Sequence, residues 1–360
     1  MIKIRINSAE YRIWLKKQNK KKLIARTKKK TWIRLSRTNQ IKHNTKIKIE
    51  IPYNKETRKF LFKAPLIFSF VKNSEETNEF FHELSNFILD KKNIEKRAFI
   101  DISAIEYLSI DALMYLLAIL NNIKCVNNKF SVSGNEPRDA GIKKMFIESG
   151  FYSYVKYKGN QPLTKNTDTI QILTGYNTDT NLAKQMSDFA IAKMNVSKSQ
   201  CRFLYIMMIE LMSNTIKHAY NDEETMNRCW YCYSEYNRDE DSIAFTFVDT
   251  GEGIPSTVRK NFAEKLDILK IYGEDKYVIS ALNGKFRTST LQSHRGKGLP
   301  KIRDFCFNKK IQDMRIITNK ADVTVGDCSF NSTLLTHSLK GTLYYWKIYK
   351  SNFKGEYDEY

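Results

Sequence analysis

Three things are scarce in this 360-residue sequence. No run of about 18 apolar residues occurs, so no transmembrane helix is expected. Cysteine is rare, six in all, and Cys229-Trp230-Tyr231-Cys232 is a lone C-x-x-C with no second pair or histidine pair at zinc spacing. It lies in a strand-like run, where a spacing of three sends the two thiols to opposite faces. The start, Met1-Ile2-Lys3-Ile4-Arg5, is charged at once and has no signal-peptide pattern. With so few cysteines, this points to a reducing, cytoplasmic setting. The third scarcity is of acids near the start: residues 1–60 hold three Asp or Glu against 20 Lys or Arg, a net +17 of the chain's +21.

The basic character therefore belongs to one segment, 1–60, and most strongly to 1–46. There Lys16-Lys17-Gln18-Asn19-Lys20-Lys21-Lys22 and Lys28-Lys29-Lys30 alternate with Trp14, Trp32 and apolar residues. Two readings stand. One is a solvated, partly helical arm that packs its apolar side on the next domain. The other is contact with nucleic acid or another anionic surface.

The most informative stretch is Glu210-Leu-Met-Ser-Asn214-Thr-Ile-Lys217-His218, at the end of the apolar run Phe203 to Ile209. Glu210, Asn214 and His218 are spaced i, i+4, i+8, about 40° apart around a helix. A carboxylate, a carboxamide and an imidazole in one row suit either a polar network closing on a loop or a magnesium-nucleotide site. In the second case Asn214 supplies a neutral oxygen to a hard cation, and Glu210 deprotonates an attacking water. Two later stretches bear on this. Asp249-Thr250-Gly251-Glu252-Gly253 follows the strand-like Ala244 to Val248, and Gly296-Lys297-Gly298-Leu299 opens the helix-like Pro300 to Phe305. Glycines before a helix expose backbone N–H groups to an anion.

In that order, E-x-x-x-N-x-x-x-H, D-x-G-x-G and G-x-G-L resemble the GHKL ATP-binding superfamily, whose members include gyrase B, histidine kinases and anti-sigma-factor serine kinases. The resemblance covers about residues 165–350. It implies ATP and Mg2+ as cofactors. Asn214 would hold the metal, Asp249 would bond the adenine amino group, and Gly251 and Gly253 would shape the adenine pocket. The turn Gly296 to Leu299, with Arg295 and Lys297, would wrap the phosphates, and Lys217 and His218 would lie near them. Glu210 matches the general base of the hydrolysing branch, and Gly341-Thr342 matches a late Gly-Thr near adenine. Residues 255–295 take the position of the family's ATP lid, with Arg287, His294, Arg295 and Lys297 as cations in or near it.

Before this, residues 47–160 read as alternating strands and helices. Strand-like runs lie at 47–51, 66–71, 97–102 and 129–135, and helical spacing at 78–89, 110–120 and 140–149. Phe99-Ile100-Asp101-Ile102-Ser103, Tyr107 to Leu113 and Val132-Ser133-Gly134 resemble a STAS domain, the anti-sigma-factor-antagonist fold. Asp111 stands where phosphorylated antagonists carry serine, and is read as an acid favoured by the positive end of a helix. His82-Glu83-Leu84, similar to a histidine-kinase phosphoacceptor motif, is read as a partly exposed helix histidine, since no proline follows. After 165 come a strand at 169–174, a helix at 181–194 and a hairpin of 228–236 with 242–248. Residues 351–360 form a polar tail.

The expected fold is α/β (α+β), STAS-like then GHKL-like. The expected activity is Mg-dependent ATP hydrolysis that switches lid and domains on a protein partner. A protein kinase and a non-hydrolysing ATP-gated nucleic-acid-binding module are the alternatives, and a homodimer fits the family. On the nucleic-acid reading, full-length protein binds duplex DNA at low salt with a steep salt dependence. Deletion of residues 1–45 then removes that binding, and retention of the affinity in a filter assay would sink the reading.

Overall fold

Among the described residues the chain builds two main sheets of different construction and one short strand pair. The computed structural model describes residues 53–54, 59–90, 93, 96–126, 131–156, 166–219, 229–286 and 298–353. All belong to one compact unit, Ile51–Tyr360. The basic segment and the strand expected at 47–51 lie outside the described residues, as does the tail from 354.

The first sheet has the order β1 (Tyr53–Asn54), β2 (Lys59–Lys63), β4 (Arg97–Asp101), β6 (Ser131–Gly134). The last three run parallel and β1 joins antiparallel. Parallel neighbours need crossovers, which α1 (Ser74–Leu89) and α2 (Ile110–Val126) supply. β3 (Ile67–Phe68) and β5 (Tyr107–Leu108) form a separate short pair. The apolar run 66–71 is therefore a strand for two residues only. The carboxylate of Asp111 accepts the N–H groups of Phe70 and Val71, both at 3.2 Å, and so diverts them from any sheet ladder. After β6 comes α3 (Ala140–Glu148), capped by Asp139, which accepts from the Ile142 N–H at 2.8 Å.

The second sheet is antiparallel. Its order is β10 (Gln312–Val325), β11 (Phe330–Tyr349), β9 (Ser242–Asp249), β8 (Trp230–Asn237), β7 (Thr169–Gly175). Side chains on one face, among them Ile243, Phe245 and Phe247, form a core with α4 (Thr180–Met194), α5 (Arg202–His218) and α8 (Gly298–Phe307). The strand period of two sends their neighbours the other way, and Tyr231, Tyr233 and Val248 join a different core. Cys229 and Cys232 divide between the two cores in the same manner, each buried and neither in a disulfide.

The second core is shared. From Ala112 to Ile119 every residue of α2 is buried, as expected of a helix with no polar side. Its cluster joins Phe62, Ile100 and Phe146 of the first layer to Tyr231, Val248, Ile317 and Leu343 of the antiparallel sheet. Each leucine so buried contributes about 1.5–3 kcal/mol. Polar contacts follow the same seam. Asn78 donates to the His337 carbonyl at 2.6 Å, and the Arg315 guanidinium donates to the Val71 carbonyl while pairing with Asp322 at 2.6 Å.

Two expectations about single residues are refined here. Asp111 lies in the first turn of α2, as expected, and it is enclosed there, 1% exposed. Burial raises its pKa, opposed by hydrogen bonds from Ser109 and the Phe70, Ala112 and Val71 N–H groups. His82 is a half-buried helix histidine whose ring stacks on His337 with centroids 4.6 Å apart. Burial, then the neighbouring His337, lowers its pKa. Elements that go beyond the sequence pattern include β1, β2, β5, β10, and the helix α7 (Glu274–Leu282) that follows α6 (Ile254–Ile268). Among the described residues no helix is long and apolar enough to cross a membrane.

A shared core predicts shared unfolding. Leu113→Ala is expected to lower stability by about 2–5 kcal/mol and to shift one calorimetric endotherm as a whole. Two endotherms, with one displaced and the other fixed, would refute the common core.

Candidate functional site

Helix α5 supplies the first part of the site. Leu204, Met207, Met208, Leu211 and Met212 are buried against the sheet. Glu210 and Asn214 lie part-buried beside that stripe and Lys217 is exposed. The start of α8 crosses them. A Cβ on Gly298 would stand 2.7 Å from Glu210 Oε2 and 3.4 Å from Asn214 Nδ2, so a side chain there would displace the carboxylate. Lys301, one turn along α8, places its Nζ 2.6 Å from Glu210 Oε1. The glycine motif and the Glu-Asn motif, 80 and more residues apart in sequence, thus meet.

The second part is a row across the end of the antiparallel sheet. Trp230 pairs with Asp249, Asp249 with Thr342, and Thr342 with Thr318. Directly opposed residues share a face, here the face of α5, and all four are buried. Asp249 is 4% exposed. Its hydrogen-bond donors among the described residues are the backbone N–H groups of Gly251, at 2.9 Å, and Thr342. Burial pushes its pKa up to about 7, and the two backbone bonds only partly oppose this.

The loop after Asp249 locks the two parts together. The Glu252 N–H donates to the carbonyl of Ala219, at the end of α5, at 2.5 Å. Gly251 passes so close that a Cβ would lie 2.2 Å from that same oxygen. Gly253, at φ +84°, turns the chain into α6. There Thr318 accepts from the Ile254 N–H at 3.0 Å, and Asn319 accepts from the Ser256 N–H at 3.1 Å while donating to the Glu252 carbonyl at 2.9 Å. The expected lid is, as far as residue 286, the helical pair α6 and α7. It has a small core of Val258, Leu266, Ile271 and Ala281, against which Leu299 also packs. It rests on β10 and β11: Glu274 accepts from the Lys320 N–H and Ser332 donates to Asp275, both at 2.8 Å.

The structure therefore brings together Glu210, Asn214 and Gly298, and separately Asp249, Gly251, Gly253 and Thr342, with Leu299 between core and lid. The side chain of His218, and Arg287, His294, Arg295, Gly296 and Lys297, lie outside the described residues. Four contributors were not foreseen: Trp230, Lys301, Thr318 and Asn319. Asn319 lies in β10, a strand not expected from the sequence, and it adopts the left-handed φ of +51° that asparagine tolerates better than most residues. Among the described residues no cluster of three or more His, Cys, Asp or Glu could hold a metal. A shallow groove lined by Ile170, Asn181, Lys184 and Phe189 lies on α4 and contains none of the site residues.

Compared with known proteins, the chain matches no protein-family model, and no curated protein is significantly similar to it.

A buried acid whose pKa is raised binds its proton more tightly folded than unfolded. The fold therefore loses stability as the pH rises from about 4 through 7. Asp249→Asn is expected to raise the Tm by about 2 °C at pH 8, with the gain vanishing below pH 4. Equal Tm values at both pH values would show that the carboxylate is solvated.

Proposed function

We propose that residues 165–350 bind ATP with magnesium and hydrolyse it in the manner of the GHKL superfamily, and that residues 47–160 form a STAS-like layer through which the cycle acts on a protein partner. The observation that carries this reading is the contact of Gly298 with Glu210 and Asn214. It joins two of the three motifs through side-chain atoms, and the third is tied to the same helix through Ala219.

The residues fit the ligand. Asp249 offers a buried acceptor beside the Thr342 hydroxyl, suited to the exocyclic amino group of adenine. Helix α8 begins with Gly298 and Leu299 on the Glu210–Asn214 side, and a helix N-terminus favours phosphate. Asn214 Oδ1 suits magnesium, which keeps water and phosphate oxygens for most of its ligands. When bound, magnesium neutralises phosphate charge and orients the terminal group.

The chain's own part in the reaction is positional and acid–base. Asp249 fixes the base and the loop 249–253 holds Asp249. Glu210 takes the proton of the attacking water at Oε1 once Lys301 has left that oxygen. While the ion pair persists, the carboxylate is occupied and cannot act, so Lys301 restrains turnover until negative charge enters the site. Lid helices α6 and α7 stand on Thr318 and Asn319, next to the adenine side, so closure and base recognition share a support.

The test is incubation with γ-labelled ATP and magnesium. Glu210→Ala is expected to lower release of free phosphate by about 10²–10⁴-fold while retaining ATP. Equal loss of binding and turnover would remove Glu210 as base. Label appearing on protein would identify a kinase, and intact retained ATP in the wild type would identify an ATP-gated binding module.

A further inference from the structure

Helix α2 of the first layer reaches the Asp249 strand end from behind. We propose that two of its residues, Asn122 and Tyr115, position the adenine-reading acid, making the first layer a working part of the nucleotide pocket. This rests on the ATP reading above.

Asp249 turns to the α5 face, and Thr250, fully buried, meets α2. There Asn122 Nδ2 donates to Thr250 Oγ1. On the other flank, the Tyr115 hydroxyl donates to the Lys340 carbonyl at 2.7 Å and accepts from the Lys340 N–H at 3.1 Å. Lys340 precedes Gly341-Thr342, and Gly341 lies so close to the Asp249 carbonyl that a Cβ would stand 2.0 Å from it. Residues 115 and 122 are seven apart, two helical turns, so they lie on one stripe of α2. One rigid stripe thus grips both chain segments that carry the pocket's polar groups, Asp249 and Thr342.

Stability alone does not account for Asn122. Asn122 is 4% exposed, and its Oδ1 has no hydrogen-bond partner among the described residues. A buried amide with an unsatisfied oxygen is disfavoured against an apolar side chain of like size. Its retained contact is the one to the residue next to Asp249. Displacements well below an ångström at a recognition group change ligand affinity. A shift of α2 therefore changes nucleotide binding, and by linkage nucleotide changes the state of the first layer. Both are positioning residues, acting through Thr250 and Lys340.

The test uses the full-length chain with magnesium, and calorimetric binding of ATP and of GTP. The proteins are the wild type, Asn122→Ala, Tyr115→Phe and Asn121→Ala. Asn121 makes a different bond from α2 to the sheet, to the Tyr231 hydroxyl at 3.2 Å. Asn122→Ala and Tyr115→Phe are expected to weaken ATP about tenfold and GTP little, so that base preference shrinks, while Asn121→Ala keeps the wild-type preference. ATP should also slow amide exchange in α2 of the wild type and not of Tyr115→Phe. If Asn122→Ala does not fold, Tyr115→Phe, which keeps its ring, decides alone. Wild-type preference in both variants, or the same loss in Asn121→Ala, overturns the proposal while leaving the ATP reading intact. A wild type that binds no ATP removes the reading itself, and this inference with it.

Discussion

A helix without a polar side must be enclosed, and α2 is such a helix. From Ala112 to Ile119 it offers water nothing, and leaving its leucines exposed would cost about 1.5–3 kcal/mol apiece. The first layer covers part of its circumference and the antiparallel sheet covers the rest. Enclosure then constrains the few polar atoms the helix carries, because a buried polar group needs a partner. Asp111 finds the backbone of Phe70 and Val71, Tyr115 finds Lys340, and Asn122 finds Thr250. A demand of solubility becomes a set of positional ties between two layers.

The site is built from costs of a similar kind. Asp249 keeps a carboxylate where burial opposes ionisation, so its presence works against the stability of the fold. Gly251 and Gly298 give up side-chain packing so that a loop and a helix can approach α5 at contact distance. Lys301 holds Glu210 in a partly exposed ion pair, a kind of contact that adds little to stability. These choices concentrate along one edge of one helix and one end of one sheet, as expected where function is set against stability.

The parts of the site legible in the sequence were those where close approach dictates residue type. Glycines at 251 and 298 leave a mark because nothing else fits, and the i, i+4 spacing of Glu210 and Asn214 survives any detail of packing. Thr318 and Asn319 left little trace: their partners Ile254 and Glu252 lie more than 60 residues away. The sequence changes pattern between 47–160 and 165–350, but the common core that joins them in one unit was not legible. Its signal was present in the two-sided apolarity of β8 and β9 and in the all-round apolarity of 110–120, both of which ask for cover on a second face. Asp111 was legible as a first-turn acid but its burial was not: at a helix start, sequence does not distinguish an acid facing water from one enclosed beneath a neighbouring turn.

The lateness of β11 has a consequence for how the protein is made. The residues that close over α2, Leu335, Leu339 and Leu343, and the Lys340 that meets Tyr115 across 225 positions, come from the final strand. The parallel layer therefore emerges from the ribosome with its central helix half-covered, and stays so until β11 has been translated. Pairings of such long range form slowly, and a half-covered apolar helix is a surface that chaperones and aggregation compete for. A chain that ended before β11 would lose far more than a strand: it would leave α2 half-covered, with an apolar face that the rest of the chain before β11 does not close.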